Sequence, residues 1–381
     1  MHRRSRREHV ARWLERSGTL AAILKMRTLT PLPWLTILTY HRFPSTDATE
    51  AFDDGVIDVT REEFAHHIAY VKRHFNVVGM ADLCAFVEGR RPLPMNPVAV
   101  TFDDGYLDNY ETALPILKKY DCKAIFFVAT SLVTERRIHW WDRIAYVVKA
   151  SPRRELRLEY PGPLRFDLRG PRDWVIRRLL RLVKFYPSLH WPTFLSELSK
   201  AAGITWTADL ERRFADRLLM TWDHVRALKK AHMDVQSHTR THRVLQTLEG
   251  VEIRDELEGS RDDLHRELGE PAIGLAYPVG CPVERDSPVR AALAKANYQI
   301  GFTNGTGATP LRGPVDRFDI GRQTLERGLS DALLLSILAL PQLAPKVPWR
   351  LLASPAAETH LLRACAQSES CAVPSSKRTI H

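Results

Sequence analysis

The residues from Ala99 to Tyr106 form an apolar run, Ala-Val-Thr-Phe, that stops on Asp103, Asp104 and Gly105. A run this short, apolar and β-branched reads as a buried strand. Comparable runs punctuate the chain. Leu35–Thr39 leads into Tyr40 and His41, and Lys123–Ala129, Met233–Gln236, Ala272–Ala276 and Gln299–Thr303 follow the same pattern. Arg317–Gly321 reads as a last strand. Helical patterns lie between them. Phe64, Ile68, Val71 and Phe75 repeat at helical spacing behind Thr60 and Glu63, a capping-box pair. Strands alternating with helices call for a parallel sheet or barrel. A length of 381 residues suits one α/β barrel with insertions.

The alternation breaks between residues 135 and 220. That stretch reads as a mostly helical insertion, with helices over Trp140–Lys149, Pro171–Phe185 and Pro192–Ala202. The helix around Trp174–Lys184 carries Arg177, Arg178, Arg181 and Lys184. This basic face reads as solvated, with anionic lipid or an acidic glycan as the sharper alternative. The strand–helix rhythm resumes at Thr221, an N-cap. The chain thus divides into a basic arm (1–33), a first barrel part (34–134), the insertion (135–220), a second barrel part (221–345) and a polar tail (346–381). The tail is expected to be disordered.

The net charge of +10 is unevenly spread. Residues 1–27 hold eight Arg and Lys against Glu8 and Glu15, which leaves about +4 for the rest. This argues against nucleic acid as a partner and fits an anionic membrane surface. Residues 9–26 can form an amphipathic helix, either docked on the body of the protein or lying on a membrane. No apolar run reaches the length of roughly 20 residues needed to span a bilayer. The N-terminus is a poor secretory signal. The five cysteines are odd in number and lack metal spacing, which indicates free thiols in a reducing compartment. A cytoplasmic location, with peripheral contact at the inner membrane face, is the expectation.

In parallel α/β folds, chemistry collects where strands end. Asp103 and Asp104 end one strand, His238 and His242 follow another, and His41 follows a third. If residues 238–242 make a helical turn, both imidazoles share one face. Two imidazoles and a carboxylate suit a divalent transition metal with open positions for water and substrate. Asp104 can be that carboxylate, leaving Asp103 beside the metal as a general base. Each piece alone is weak. Asp53-Asp54-Gly55 has the same letters and reads as a plain turn, and a His-x-x-x-His pair among fifteen histidines arises readily by chance. The matching strand contexts carry the metal reading.

Thr101-Phe102-Asp103-Asp104-Gly105 and His238-Thr239-Arg240-Thr241-His242 resemble the first two motifs of the polysaccharide deacetylases, carbohydrate esterase family 4 or NodB-like proteins. The resemblance covers roughly residues 35–130 and 220–322. It implies a distorted (β/α) barrel of about seven strands. It also implies deacetylation of N-acetylated sugars with one divalent ion, zinc, or cobalt or nickel in its place. Asp104, His238 and His242 would be its ligands and Asp103 the base. The third motif departs from the family pattern. Ala276 stands where an Arg is expected and Val279 where a Tyr is expected, in Ala276-Tyr277-Pro278-Val279-Gly280. Val279 keeps the backbone N–H that the family uses for the oxyanion. Arg322 is offered as a substitute for the missing Arg. The family's late histidine is absent. Tyr40-His41 resembles rearranged members whose histidine strand has moved to the N-terminus, which makes His41 the general acid. The alternatives are an inactive glycan-binding barrel and a metal hydrolase acting on a non-carbohydrate substrate.

Overall fold

The computed structural model describes residues 6–29, 34–44, 51–187, 189–304, 307–325 and 327–341. The first five residues of the arm and the tail 346–381, with Cys365 and Cys371, lie outside the described residues. The barrel strands are β1 (Trp34–Tyr40), β2 (Pro97–Phe102), β3 (Ile125–Val128), β4 (Asp234–Ser237), β5 (Gly274–Ala276) and β6 (Ile300–Thr303). The segment β7 comprises Ile320–Gly321 and Gln323–Thr324, split at Arg322. Neighbours pair in parallel in the order β1-β2-β3-β4-β5-β6-β7. The first half of β7 pairs with β6, Ile320 opposite Phe302, and the second half pairs with β1, Gln323 opposite Leu38. The ladder therefore returns to its first strand, as a (β/α) barrel requires. Asn76–Val77 adds to the start of β2, and Thr309–Pro310 pairs antiparallel with β1.

Side chains alternate faces along a strand, and the two faces here are both buried. Leu35, Ile37, Ala99, Ile125, Phe127, Ala276, Ile300, Phe302 and Ile320 meet in one cluster inside the barrel. Leu38, Tyr40, Val98, Val100, Phe102, Phe126, Val128 and Val235 point the other way, into the layer of helices. Each such aliphatic or aromatic side chain contributes about 1.5–3 kcal/mol by leaving water. Continuing the inward parity past each strand end brings His41, Asp103, His238, Asn304 and Arg322 to the barrel mouth. The packing that fills the core also aims these side chains at one place.

The helix Arg61–His74 begins with the expected capping box, the Glu63 amide bonded to Thr60 and the Thr60 amide to Glu63. Residues 250–268 form a helix interrupted by a π-helical turn over Asp255–Gly259 and stopped at Gly269. The insertion has its own core, and it is not purely helical. Helices Trp140–Ala150, Arg172–Phe185, Trp191–Ala201 and Ala208–Leu218 pack with an antiparallel hairpin, Glu155–Leu158 against Leu164–Asp167. The hairpin's alternating Leu156, Leu158, Leu164 and Phe166 are buried, a period-two pattern masked by the Arg and Glu between them.

The arm also differs from the expected single helix. It forms two helices, Arg6–Arg16 and Thr19–Leu29, broken at Gly18, whose φ of 73° suits glycine. Both pack against the Asp331–Ala339 helix. Arg27 is buried there, donating to the Leu338 carbonyl and to Asn96 (3.3 Å). The arm is thus docked on the body of the protein, although Val10 and Trp13 remain exposed. Among the described residues, no helix is long and apolar enough to cross a membrane.

Candidate active site

Asp104 sits at φ 74° and Gly105 at φ 76°, so the chain reverses sharply after β2 and turns the Asp104 carboxylate inward. The His238 and His242 rings come together on a loop, not on the helical turn expected from their spacing. Thr239 and His242 both have positive φ, 64° and 58°, and the Thr239 hydroxyl accepts from the His242 amide at 3.1 Å. Glu256 braces the same loop by accepting from the Arg240 and Thr241 amides at 2.8 and 2.9 Å.

The three donors converge. His238 Nε2 lies 3.4 Å from Asp104 Oδ1, His242 Nε2 lies 3.3 Å from it, and the two imidazole nitrogens are 3.1 Å apart. An ion bonded at ~2.0–2.1 Å within a tetrahedron spreads its donors roughly 3.3–3.4 Å apart. His238 Nδ1 faces the Ala276 carbonyl at 2.8 Å, which makes that nitrogen the N–H donor and leaves the Nε2 lone pair free. Asp104 Oδ1 is buried with no hydrogen-bond partner. A buried carboxylate oxygen without a partner, facing two imidazole nitrogens, fits a cation. Burial alone would raise the Asp104 carboxyl, but His238 and His242 beside it hold it well below the usual range.

Asp103 faces other partners. Arg322 grips it with two parallel bonds, Nη1 to Oδ1 and Nη2 to Oδ2, each 2.8 Å. Arg322 is fully buried and its Nε donates to Asn304 at 3.1 Å. Burial would raise the Asp103 carboxyl, and the guanidinium outweighs it, so the group stays below its ordinary value and ionised. Arg322 thus gives Asp103 a buried cationic partner, although Ala276 supplies none.

His41 stands 3.9 Å from Asp103, Nε2 to Oδ2. Its Nδ1 lies 3.1 Å from Asp58 Oδ2, and its own amide donates to the same oxygen. Burial would lower the imidazole, but the Asp58 carboxylate overrides it and raises His41 to about 9. Val279 is on the turn after β5 with φ 54° and ψ 9°, a strained left-handed conformation for a β-branched residue. The turn is held by the Gly280 amide on the Tyr277 carbonyl (2.8 Å) and the Asn304 amide on the Gly280 carbonyl (3.0 Å).

Three residues missed by sequence reasoning complete the site. Asp58 lies beyond a polar loop and gives no local signal. Asn304 ties Arg322 to the Val279 turn, and a Cβ on Gly280 would strike it at 2.5 Å. His139, at the head of the insertion, bonds the Asp104 carbonyl at 3.1 Å and stacks on Trp141 at 4.2 Å. Burial lowers its pKa to about 4, so it is neutral. Asp53-Asp54-Gly55 is the plain turn it was read as, with Asp53 also paired to Arg177.

A (β/α) barrel with Asp, His and His at its mouth defines a class of hydrolase-like barrels. The comparisons place the chain within it. The polysaccharide deacetylase family model matches residues 90–157 and 187–301, and the chain belongs to that family. The Bacillus subtilis (strain 168) protein YxkH, named as a polysaccharide deacetylase, is 30% identical over 95 residues, 25% of this chain. The match spans 31% of that relative's own length. The Streptococcus pyogenes deacetylase PplD, solved with acetate, shares the fold with a TM-score of 0.52 at 20% identity, covering 81% of this chain and 99% of that one. A de-N-acetylase from Aggregatibacter actinomycetemcomitans aligns with a TM-score of 0.50 at 16% identity, covering 79% and 98%. The family match begins after β1 and ends before β7, so His41 and Arg322 both lie outside it.

Proposed function

We propose that this protein is a metal-dependent deacetylase that hydrolyses the N-acetyl amide of an acetylated sugar. The observation that carries the reading is the meeting of three features at one mouth. These are the convergent Asp104, His238 and His242 donors, the Arg322-clamped Asp103, and the His41–Asp58 pair facing it. A divalent ion, zinc by the donor set, would be held by Asp104, His238 and His242 and would supply Lewis-acid polarisation and a more acidic water.

The chain's own residues do the rest. Asp103, ionised and fixed by Arg322, accepts the proton of the attacking water. The Val279 backbone N–H stands as donor to the oxyanion. His41, kept protonated by Asp58, gives its proton to the departing amine. The Arg322 clamp supports an active barrel over an inactive one, since it gives the base an orienting partner despite Ala276.

Asp103→Asn in purified, metal-loaded protein should lower acetate release about 10²–10⁴-fold, the usual worth of a general base. Near-wild-type turnover would defeat the mechanism. The buried free thiols Cys84, Cys122 and Cys281 support a reducing, cytoplasmic location, and hence a sugar precursor in place of a mature wall polymer. Fractionation into the medium or periplasm would overturn that part alone.

A further inference from the structure

The insertion and the second barrel part meet beside the loop that carries His238 and His242, and they enclose a cavity of about 530 Å³. The volume is in the range of small-molecule sites, which collect at junctions of this kind. From the insertion the cavity is lined by Trp140, Leu189 and Trp191, and from the barrel by Thr241, Arg243 and Glu252. Thr241 directly precedes the donor His242, and successive residues are ~3.8 Å apart from Cα to Cα. Trp140 donates through Nε1 to the His242 carbonyl at 3.3 Å. The cavity therefore backs directly on the metal-donor loop.

Its lining has the chemistry of a sugar site. Trp191 opens the Trp191–Ala201 helix, with Pro192 setting the entry, and its indole stays partly exposed. Trp191 meets Trp140 edge to face, ring centroids 5.4 Å apart. Trp140 is buried, so Trp191 is the indole left to a ligand. The Arg243 guanidinium stands 5.7 Å from the Trp191 ring and pairs with Glu252 at 2.5 Å. Arg137 pairs with Glu211 at 3.7 Å. Carboxylates outnumber guanidiniums in the lining, five to three, which disfavours an anionic ligand. Paired charges keep hydrogen-bonding capacity for hydroxyl groups while cancelling most of the net field. A pyranose ring has apolar C–H faces and a hydroxylated rim. An open indole ringed by such polar groups matches both.

We propose that this cavity holds a second sugar unit of the substrate, stacked on Trp191, so that the molecule deacetylated at the metal mouth is a chain of at least two sugars. This rests on the deacetylase reading and narrows it from acetylated sugars in general to oligosaccharides. It also gives the insertion a task, since the insertion supplies the indole that reads the unit beside the reacting one. The cavity contributes binding alone, and Trp191 stands outside the Asp103 and His41 machinery.

The test is calorimetric binding to metal-loaded Asp103→Asn protein, in which turnover is suppressed. The probes are N-acetylglucosamine and its β-1,4-linked and β-1,6-linked tetramers. At least one tetramer should bind about tenfold or more tightly than the single sugar. The two linkages show which chain geometry is used. Trp191→Ala in the same background should bring the tetramer down to the affinity of the single sugar, and Trp191→Phe should keep most of the gain. With Asp103 intact, Trp191→Ala should raise KM for the tetramer by about the same factor and leave hydrolysis of the single sugar unchanged. Equal affinity for the single sugar and both tetramers would overturn the proposal, as would a gain that survives in Trp191→Ala. Failure of acetate release from every acetylated sugar would strike the deacetylase reading and leave the binding result separately legible.

Discussion

Asp103 and Asp104 are adjacent in the chain, equally buried, and held in opposite ways. Asp103 leaves β2 with ordinary backbone geometry and meets a permanent cation, Arg322, that satisfies both of its oxygens. Asp104 turns to φ 74° and meets two imidazoles that leave its Oδ1 unsatisfied. One carboxylate is neutralised by the protein. The other is left for something the protein must acquire. A single positive-φ step separates the two roles, and Gly105 makes it affordable in steric terms.

This contrast is broken most completely on the Asp104 side. His238→Ala should remove bound metal, measured by elemental analysis, and reduce acetate release to background. Undiminished metal would take His238 out of the site. The next effect belongs to Asp103. Arg322→Ala leaves a buried carboxylate without its partner, which costs about 3–5 kcal/mol of stability. The thermal midpoint should fall accordingly, while metal content stays near wild type in the folded fraction. Loss of metal from folded Arg322→Ala protein would show that the two carboxylates do not act separately.

The two sides were also unequally legible. The donors Asp104, His238 and His242 lie in two short segments, and strand-end context was enough to join them. The expected helical turn was wrong because Thr239 and His242 take positive φ, which a His-x-x-x-His spacing does not announce. The strands followed from buried runs and their closure into a barrel from the family resemblance, and inward parity from Ile320 points at Arg322 once β7 is recognised. Asp58 reaches His41 only through tertiary folding, and no local pattern marks it. The insertion hairpin was passed over because Arg157 and Arg165 hide an alternation whose apolar half is small.

Asp58→Asn sharpens the comparison from the acid side. His41 is raised to about 9, largely by Asp58 against the lowering effect of burial. If the substitution returns it to its ordinary 6.5, the protonated fraction at pH 8 falls from about nine tenths to about three hundredths. Activity at that pH should drop roughly thirtyfold, and the alkaline limb of the pH profile should move down. Stability moves with the same sign. A raised folded-state pKa adds stability below pH 6.5 that is lost as the pH rises through about 9, so Asp58→Asn should flatten that dependence. An unmoved alkaline limb would mean that His41 is not the acid.

The smallest effect tests whether the insertion takes part in the Asp104 side at all. His139 bonds the Asp104 carbonyl through Nε2, and its ring is clamped between Trp141 and the edge of His242. It cannot share a proton with the site, since burial keeps it neutral down to about pH 4. Its remaining role is to hold the positive-φ turn that aims Asp104. His139→Phe keeps a flat ring against Trp141 and deletes that bond. Metal affinity should then fall by about tenfold, the low end for a group supporting a ligand from behind. The Asp103 side, with its Arg322 clamp, should be untouched, so turnover at saturating metal should recover most of the wild-type rate. Unchanged affinity would reduce His139 to packing. A loss as complete as in His238→Ala would instead make it a fourth ligand, and the division between the two aspartates would have to be redrawn around four donors.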